Sequence, residues 1–317
     1  MKILVYGAGV QASYLAHVLI RGGNDVTVLA RGKRSEELQK DGIVIRHYLQ
    51  CKTTVDSVNV ISTLEPDDVY DLIFVSMMYS DFPAVLPILA HNQSRHIVLV
   101  GNNANAESMQ QYLKENSATE KKVIFGFQTN GGRRENGRVI NIRFGSGHMD
   151  LGTLDGDRSW RPLLERAFVH TSYKLGFAEN IDAWLKSHMV LILALHGVMS
   201  AYEGNLGKAA SDKKRLNQVI AALDEGHRIL ETLGYPIIPA AQAQLVRRRP
   251  LVYLFLKIFT VTPIASIIYK QPTPAQLAEY RALYHDFASL KQKASLATPN
   301  WDALTRHIPE SEANAAG

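Results

Sequence analysis

The hydrophobic pattern of the first twenty positions changes period once. Residues 2–6 are a short run of strand formers that meets Gly7-Ala8-Gly9-Val10-Gln11-Ala12, after which Val10, Tyr14, Leu15, Val18 and Leu19 recur at helical spacing. Strand, glycine turn and helix are predicted in that order. A second strand is predicted over 26–30, closing on Arg31-Gly32-Lys33-Arg34, with further strands at 42–47, 57–61, 70–76, 96–101 and 122–128. Helical patterns lie between several of them, notably 82–90 and 106–114. Alternation of this kind predicts an α/β fold with a mostly parallel, doubly wound Rossmann-type sheet.

The segment 129–138, TNGGRRENGR, is followed by apolar residues at 139–143, a Gly145 to Gly147 turn and a run at 148–154. Asn-Gly and Gly-Ser-Gly turns predict antiparallel strands here, read as an edge extension that closes the first domain. From Trp160 the period turns helical and stays so, with helices predicted over 161–167, 181–201, 213–233, 242–259 and 274–296. The switch places a domain boundary near 158, with a Rossmann domain over 1–158 and an all-α C-terminal domain over 159–317. The apolar run 250–269 has the length of a membrane span and a basic flank at Arg247-Arg248-Arg249. Lys257 near its middle and Pro263 within it favour instead the core of a helical domain or the interface of a homodimer, and no membrane association is expected.

Composition narrows the function classes. The chain is 46% hydrophobic and 21% charged, an ordinary globular balance over 317 residues. Its formal charge of +5 comes from scattered residues without aromatic-basic interleaving, so an anionic cofactor and substrate explain it better than nucleic acid. A single cysteine, Cys51, excludes an internal disulfide and points to a cytoplasmic setting. No His, Cys, Asp or Glu group has metal-ligand spacing on one predicted element, so no metal is expected.

The glycine turn carries the first chemistry. Gly7 permits the tight turn, Gly9 lets backbone approach a pyrophosphate, and Ala12 allows close packing of helix on strand. Amides of the first helical turn, at Val10 and Gln11, would face the phosphates, and the helix dipole favours their charge. Arg31 then ends the second strand, where a carboxylate would accept from a free ribose 2′-hydroxyl. A guanidinium there grips a 2′-phosphate, and Lys33 or Arg34 adds charge, so NADP is favoured over NAD, against the plainer reading of a solvated basic loop. Ligands collect at the carboxyl ends of such strands, here Met77-Met78-Tyr79-Ser80 and Gly101-Asn102-Asn103-Ala104-Asn105. Met77 is assigned to the cofactor side, and Asn102 either stabilises a turn or holds a nicotinamide or substrate carbonyl.

These pieces, with Trp184-Leu185-Lys186 opening a long apolar helix and TPNWDAL at 298–304, together resemble the ketopantoate reductase family. The resemblance implies an N-terminal Rossmann domain, a helical C-terminal domain and reduction of a 2-keto acid with NADPH. It implies that Lys186 acts as general acid and that Asn102 binds cofactor and substrate. The chemistry fits, since hydride arriving at a ketone builds charge on oxygen that an ammonium stabilises and protonates. Departures are also visible. Val190 stands four residues after the lysine where the family has a substrate-binding asparagine, Met78 stands where it has a lysine, and its later serine-rich segment and glutamate have no clear counterpart among Glu279, Tyr280, Tyr284, His285 and Asp286. A bulkier or more apolar substrate follows. His188, two residues from Lys186 and so on a different helical face, reads as a packed histidine. The competing hypothesis is an NADP-binding sensor or scaffold that has lost the chemistry.

Overall fold

A computed structural model describes residues 1–202, 205–268, 272–306 and 308. The end of the apolar run at Tyr269 and the polar tail after Pro309 lie outside them. The chain divides into two compact units, one of Met1–Gly101 with Ala106–Ile181, the other of Asn102–Asn105 with Asp182–Gly317.

The first unit contains twelve strands: β1 (Lys2–Tyr6), β2 (Asp25–Leu29), β3 (Ile43–His47), β4 (Lys52–Asp56), β5 (Asn59–Ile61), β6 (Leu72–Ser76), β7 (His96–Val100), β8 (Lys122–Gln128), β9 (Asn130–Glu135), β10 (Arg138–Arg143), β11 (His148–Gly152) and β12 (Lys174–Phe177). Its helices are α1 (Val10–Arg21), α2 (Gly32–Asp41), α3 (Phe82–His91), α4 (Ala106–Asn116) and α5 (Arg161–Phe168). The larger sheet has the order β12-β11-β8-β7-β6-β1-β2-β5. All pairs from β5 to β8 are parallel, and β11 runs antiparallel to β8. Strands covered on both faces read as unbroken apolar runs, and LIFVS in β6 is buried throughout. The chain leaves β1 toward β2 and later crosses back to β6 on its other side. That reversal places a crevice outside the carboxyl ends of β1 and β6.

The Asn-Gly hairpin is real but sits elsewhere than expected. β9 and β10 are joined through Asn136 and Gly137, both at positive φ, and belong to a separate sheet of order β4-β3-β10-β9. β10 pairs parallel with β3, so the hairpin is not an edge extension, whereas β11, antiparallel to β8, does extend that edge of the larger sheet. Alternation reveals a strand and leaves its partner open, and the polar KTTVD of β4, which completes the β3 hairpin, carries no apolar signal.

The second unit is helical: α6 (Ile181–Ala201), α7 (Leu206–Ser211), α8 (Lys213–Thr232), α9 (Ala240–Arg247), α10 (Arg249–Thr260), α11 (Pro263–Ile268), α12 (Pro274–Ala294) and α13 (Pro299–Thr305). The single helix expected over 242–259 is two. Pro250 has no N–H and its ring would clash with the carbonyl four residues back, so it stands in the first turn of α10, after a break at Arg248. The apolar run 250–269 is interrupted again before Pro263. Val252 and Leu256 face inward, whereas Leu251, Leu254, Phe255, Ile258 and Val261 are exposed. Among the described residues the helix long and apolar enough to cross a membrane is α6 instead, and 72% of that window is buried, as in a core helix. The closing TPNWDAL is an anchor for the fold. Glu225 on α8 accepts from the backbone N–H of Asn300 and Trp301 and so caps α13, with Trp301 buried below.

Candidate active site

At the end of β1 the geometry leaves room only for glycine. Gly7 has φ +118°, and a Cβ there would lie 2.4 Å from the carbonyl oxygen of Ser76 at the end of β6. A Cβ at Gly9 would meet nothing within 4 Å, so this side of the turn is open to a ligand. The carbonyl of Gly9 accepts the first helical hydrogen bond, from Ser13, and no side chain caps α1. Its first amide groups, including those of Val10 and Gln11, are thereby left to an anion. Ala12 is buried, as close packing requires. The Gln11 side chain is occupied elsewhere, donating to the carbonyls of Gln128 at 3.1 Å and Asn130 at 3.2 Å.

The basic cluster after β2 separates into different roles. Arg31 occupies the N-cap position of α2 without capping it and is exposed, with Nη2 donating to the Tyr6 hydroxyl at 3.2 Å and Nε to the Ser62 carbonyl at 3.4 Å. Lys33 is exposed beside it in the first turn. Arg34, expected to add charge for a ligand, is instead 7% exposed. Its guanidinium donates to the Gly137 carbonyl at 2.8 Å, to Ser13 Oγ and to Glu37, and so ties α2 to α1 and to the β9–β10 turn. Burial lowers its pKa, with Glu37 opposing that effect. The reason is helical geometry: Arg34 shares a face of α2 with the buried Leu38 four residues on, whereas Arg31 is the N-cap residue with extended backbone.

Met77 and Gly101 stand side by side past β6 and β7, a Cβ at Gly101 falling 3.0 Å from the Met77 carbonyl oxygen. Next along the chain, Asn102 belongs by its contacts to the second unit. Its Nδ2 donates to Glu279 Oε1 at 3.2 Å, while its Oδ1 is buried with no hydrogen-bond partner among the described residues. Glu279 on α12 is itself buried. No local signal in the sequence pairs positions 177 residues apart.

Lys186 lies in the second turn of α6 and is only 4% exposed. Its ammonium donates to the carboxylate of Asp182, one helical turn earlier, and lies 4.8 Å from the centroid of the Tyr235 ring. Asp182 was missed in the sequence, although the D-x-x-x-K spacing is a legible i,i+4 pair. The next residue, Ser187, accepts from the Ile238 amide at 3.1 Å and its carbonyl accepts from Gln242 at 3.2 Å. These bonds hold the 235–242 segment, and with it Tyr235, against α6.

Two neighbours on the helix are structural. His188 stacks on Trp184 with ring centroids 5.3 Å apart, and burial pushes its pKa down to about 4. Val190 is fully buried, its Cγ1 lying 2.6 Å from where a Cβ at Gly226 of α8 would stand. That position seals a helix crossing, so its apolar character follows from packing and carries no information about a substrate.

The comparisons with known proteins agree with this architecture. The profile described as ketopantoate reductase PanE/ApbA matches residues 3–156. An uncharacterized oxidoreductase, YkpB, of Bacillus subtilis is 24% identical over 248 residues, covering 78% of this chain and 80% of that protein. A 2-dehydropantoate 2-reductase of Archaeoglobus fulgidus is 22% identical, covering 77% and 79%. Among solved structures, D-mandelate dehydrogenase in ternary complex with NADH and anilino(oxo)acetate superposes with a TM-score of 0.72 at 17% identity, covering 97% of each chain. Residues 3–156 thus match the ketopantoate reductase PanE/ApbA domain, and the chain as a whole is similar, at low identity, to oxidoreductases that include 2-dehydropantoate 2-reductases.

Proposed function

We propose that the protein is an NADPH-dependent reductase of a small 2-keto acid, with Lys186 as general acid and Asn102 as the ligand of carbonyl and nicotinamide. The observation that carries the reading is the burial of Lys186. Lysines are almost never this buried without a task or a partner, and here the partner, Asp182, keeps an ammonium in a nearly dry position. Such a group stabilises and protonates an oxygen on which negative charge builds.

The residues present fit a nicotinamide dinucleotide. The space that Gly9 leaves open, the uncapped amides of α1 and the wall formed by Gly7 against Ser76 suit a pyrophosphate. Arg31, braced by the Tyr6 hydroxyl, would hold a ribose 2′-phosphate, with Lys33 adding charge, which supports NADP. Met77 would border the cofactor at the end of β6. The buried, unpartnered Oδ1 of Asn102 would accept from the carboxamide, and its Nδ2 is turned by Glu279. When bound, the dinucleotide supplies the hydride. D-mandelate dehydrogenase, seen with NADH and anilino(oxo)acetate, makes a 2-oxo acid a reasonable substrate class.

The test follows NADPH absorbance with purified protein and a panel of 2-keto acids. Oxidation with at least one of them is expected, and Lys186→Ala should lower turnover by roughly 10²–10⁴ while NADPH binding stays nearly intact. Unaltered turnover in that variant would remove the role of Lys186, and no oxidation with any keto acid would remove the reaction.

A further inference from the structure

On the side of α1 away from the glycine turn, the first unit holds a cleft of about 270 Å³ that the reaction above does not use. Its walls come from the carboxyl-terminal half of α1, from β4, from the loop after β10 and from residues 170–173. Arg143, Lys52, Arg21, His17 and His170 line it, and no carboxylate does. One of the three permanent cations is balanced: Asp56 accepts from Arg21 Nε and contacts His17 Nδ1, each at 2.6 Å. The Arg143 guanidinium lies 5.2 Å from the centroid of the Tyr14 ring, and among the described residues neither it nor Lys52 forms an ion pair.

Two buried polar groups in this wall lack partners. Arg143 is 8% exposed, and although it donates to the Gly145 carbonyl, its Nε has no hydrogen-bond partner among the described residues. Tyr173 is 7% exposed and its hydroxyl likewise has none. Buried donors are normally satisfied, and both of these belong to residues that line the cleft, which an unplaced ligand would explain. The positive field is felt next door. His47, which shares a 2.8 Å hydrogen bond with the lining residue Thr54, is pushed down to about 4, by burial first and then by His17, Arg143 and Lys52.

We infer that this cleft is a second anion site, built to take the phosphate group of a small phosphate monoester, with Arg143, Lys52 and the Tyr173 hydroxyl as its donors. A guanidinium and an ammonium beside hydroxyl groups form the donor set that suits a compact dianion. The volume lies below the roughly 300 Å³ at which drug-sized pockets begin, which suits a small ester and excludes a dinucleotide.

The test is calorimetric titration of inorganic phosphate into the full chain saturated with NADPH, against chloride at matched ionic strength. One phosphate per chain is expected, with NADPH still bound. Lys52→Glu, a change at an exposed position, and Arg143→Gln should each weaken phosphate by about tenfold or more, the effect of one charged hydrogen bond, with NADPH affinity unchanged. Absence of phosphate binding, displacement of phosphate by NADPH, or equal binding in Lys52→Glu would each overturn the site. None of these outcomes bears on the reductase reading, which depends on Lys186.

Discussion

Asn102 and Glu279 are joined by a single hydrogen bond of 3.2 Å from side-chain amide to carboxylate, closing a loop of 177 residues. The bond fixes which way the amide of Asn102 faces, because its nitrogen is committed and its oxygen is left inward. On the role proposed for Asn102, Glu279 would act through it as a positioning residue. Glu279→Ala frees the amide to rotate and should lower kcat/KM about 10- to 100-fold, the range of a charged hydrogen bond. Glu279→Gln keeps an oxygen acceptor at the same reach and should restore kcat/KM to within a few fold of the wild type. Steady-state kinetics on the best keto acid decide, and equal losses in both variants would give the carboxylate a direct role instead.

The Lys186–Asp182 pair makes a separate claim about stability. Both side chains are largely buried, at 5% and 13% exposure. Removing one member of such a pair leaves the other as an uncompensated charge, at a cost of about 3–5 kcal/mol. Asp182→Ala should therefore lower unfolding stability by about 3 kcal/mol in urea. Adding Lys186→Met to it should recover most of the loss while leaving turnover absent. A double variant no more stable than Asp182→Ala would show that the pair is not the source.

Arg31 and Arg34 look interchangeable in the sequence and should behave oppositely. Arg31→Ala is expected to weaken NADPH by about 10- to 100-fold with little effect on NADH, since only the former carries the 2′-phosphate. Arg34→Ala removes donors to Gly137, Ser13 and Glu37 and should cost stability without changing the NADPH to NADH ratio. Fluorescence titration with both dinucleotides and a thermal melt separate the two. A changed ratio in Arg34→Ala would return that residue to the ligand side.

The difference between those arginines shows where sequence reading stops. Local order is legible: the glycine turn, the two periods and all of α6 follow from spacing within a few residues, because short-range sterics and burial on one face determine them. What a side chain meets across the fold is not. The sequence does not show that β10 pairs with β3 rather than with the larger sheet, that Val190 seals against Gly226, or that Glu279 reaches Asn102, since each depends on elements distant in the chain. Burial inverted expectation in both directions, turning Arg34 inward and taking Lys186, a surface residue by base rate, into the interior with Asp182.

Buried histidines make the fold sensitive to mild acid. Burial holds His47, His188 and His227 at about 4 and His196 at about 3, below the ordinary value of 6.5. With folded-state values depressed, the unfolded chain binds more protons between pH 4 and 6.5, so stability is full above about 6.5 and falls as pH drops through that window. Each such histidine removes about 1.4 kcal/mol per pH unit there. Asp56, held below 3.8 by its hydrogen bonds to His17 and Arg21 against the opposing effect of burial, contributes only at lower pH. Urea unfolding at pH 7.5 and 5.5 should therefore differ by several kcal/mol. His47→Gln, which cannot titrate, should shrink that difference by about 1.4 kcal/mol. A difference as large in His47→Gln as in the wild type would mean that His47 is already protonated or hydrated in the folded chain.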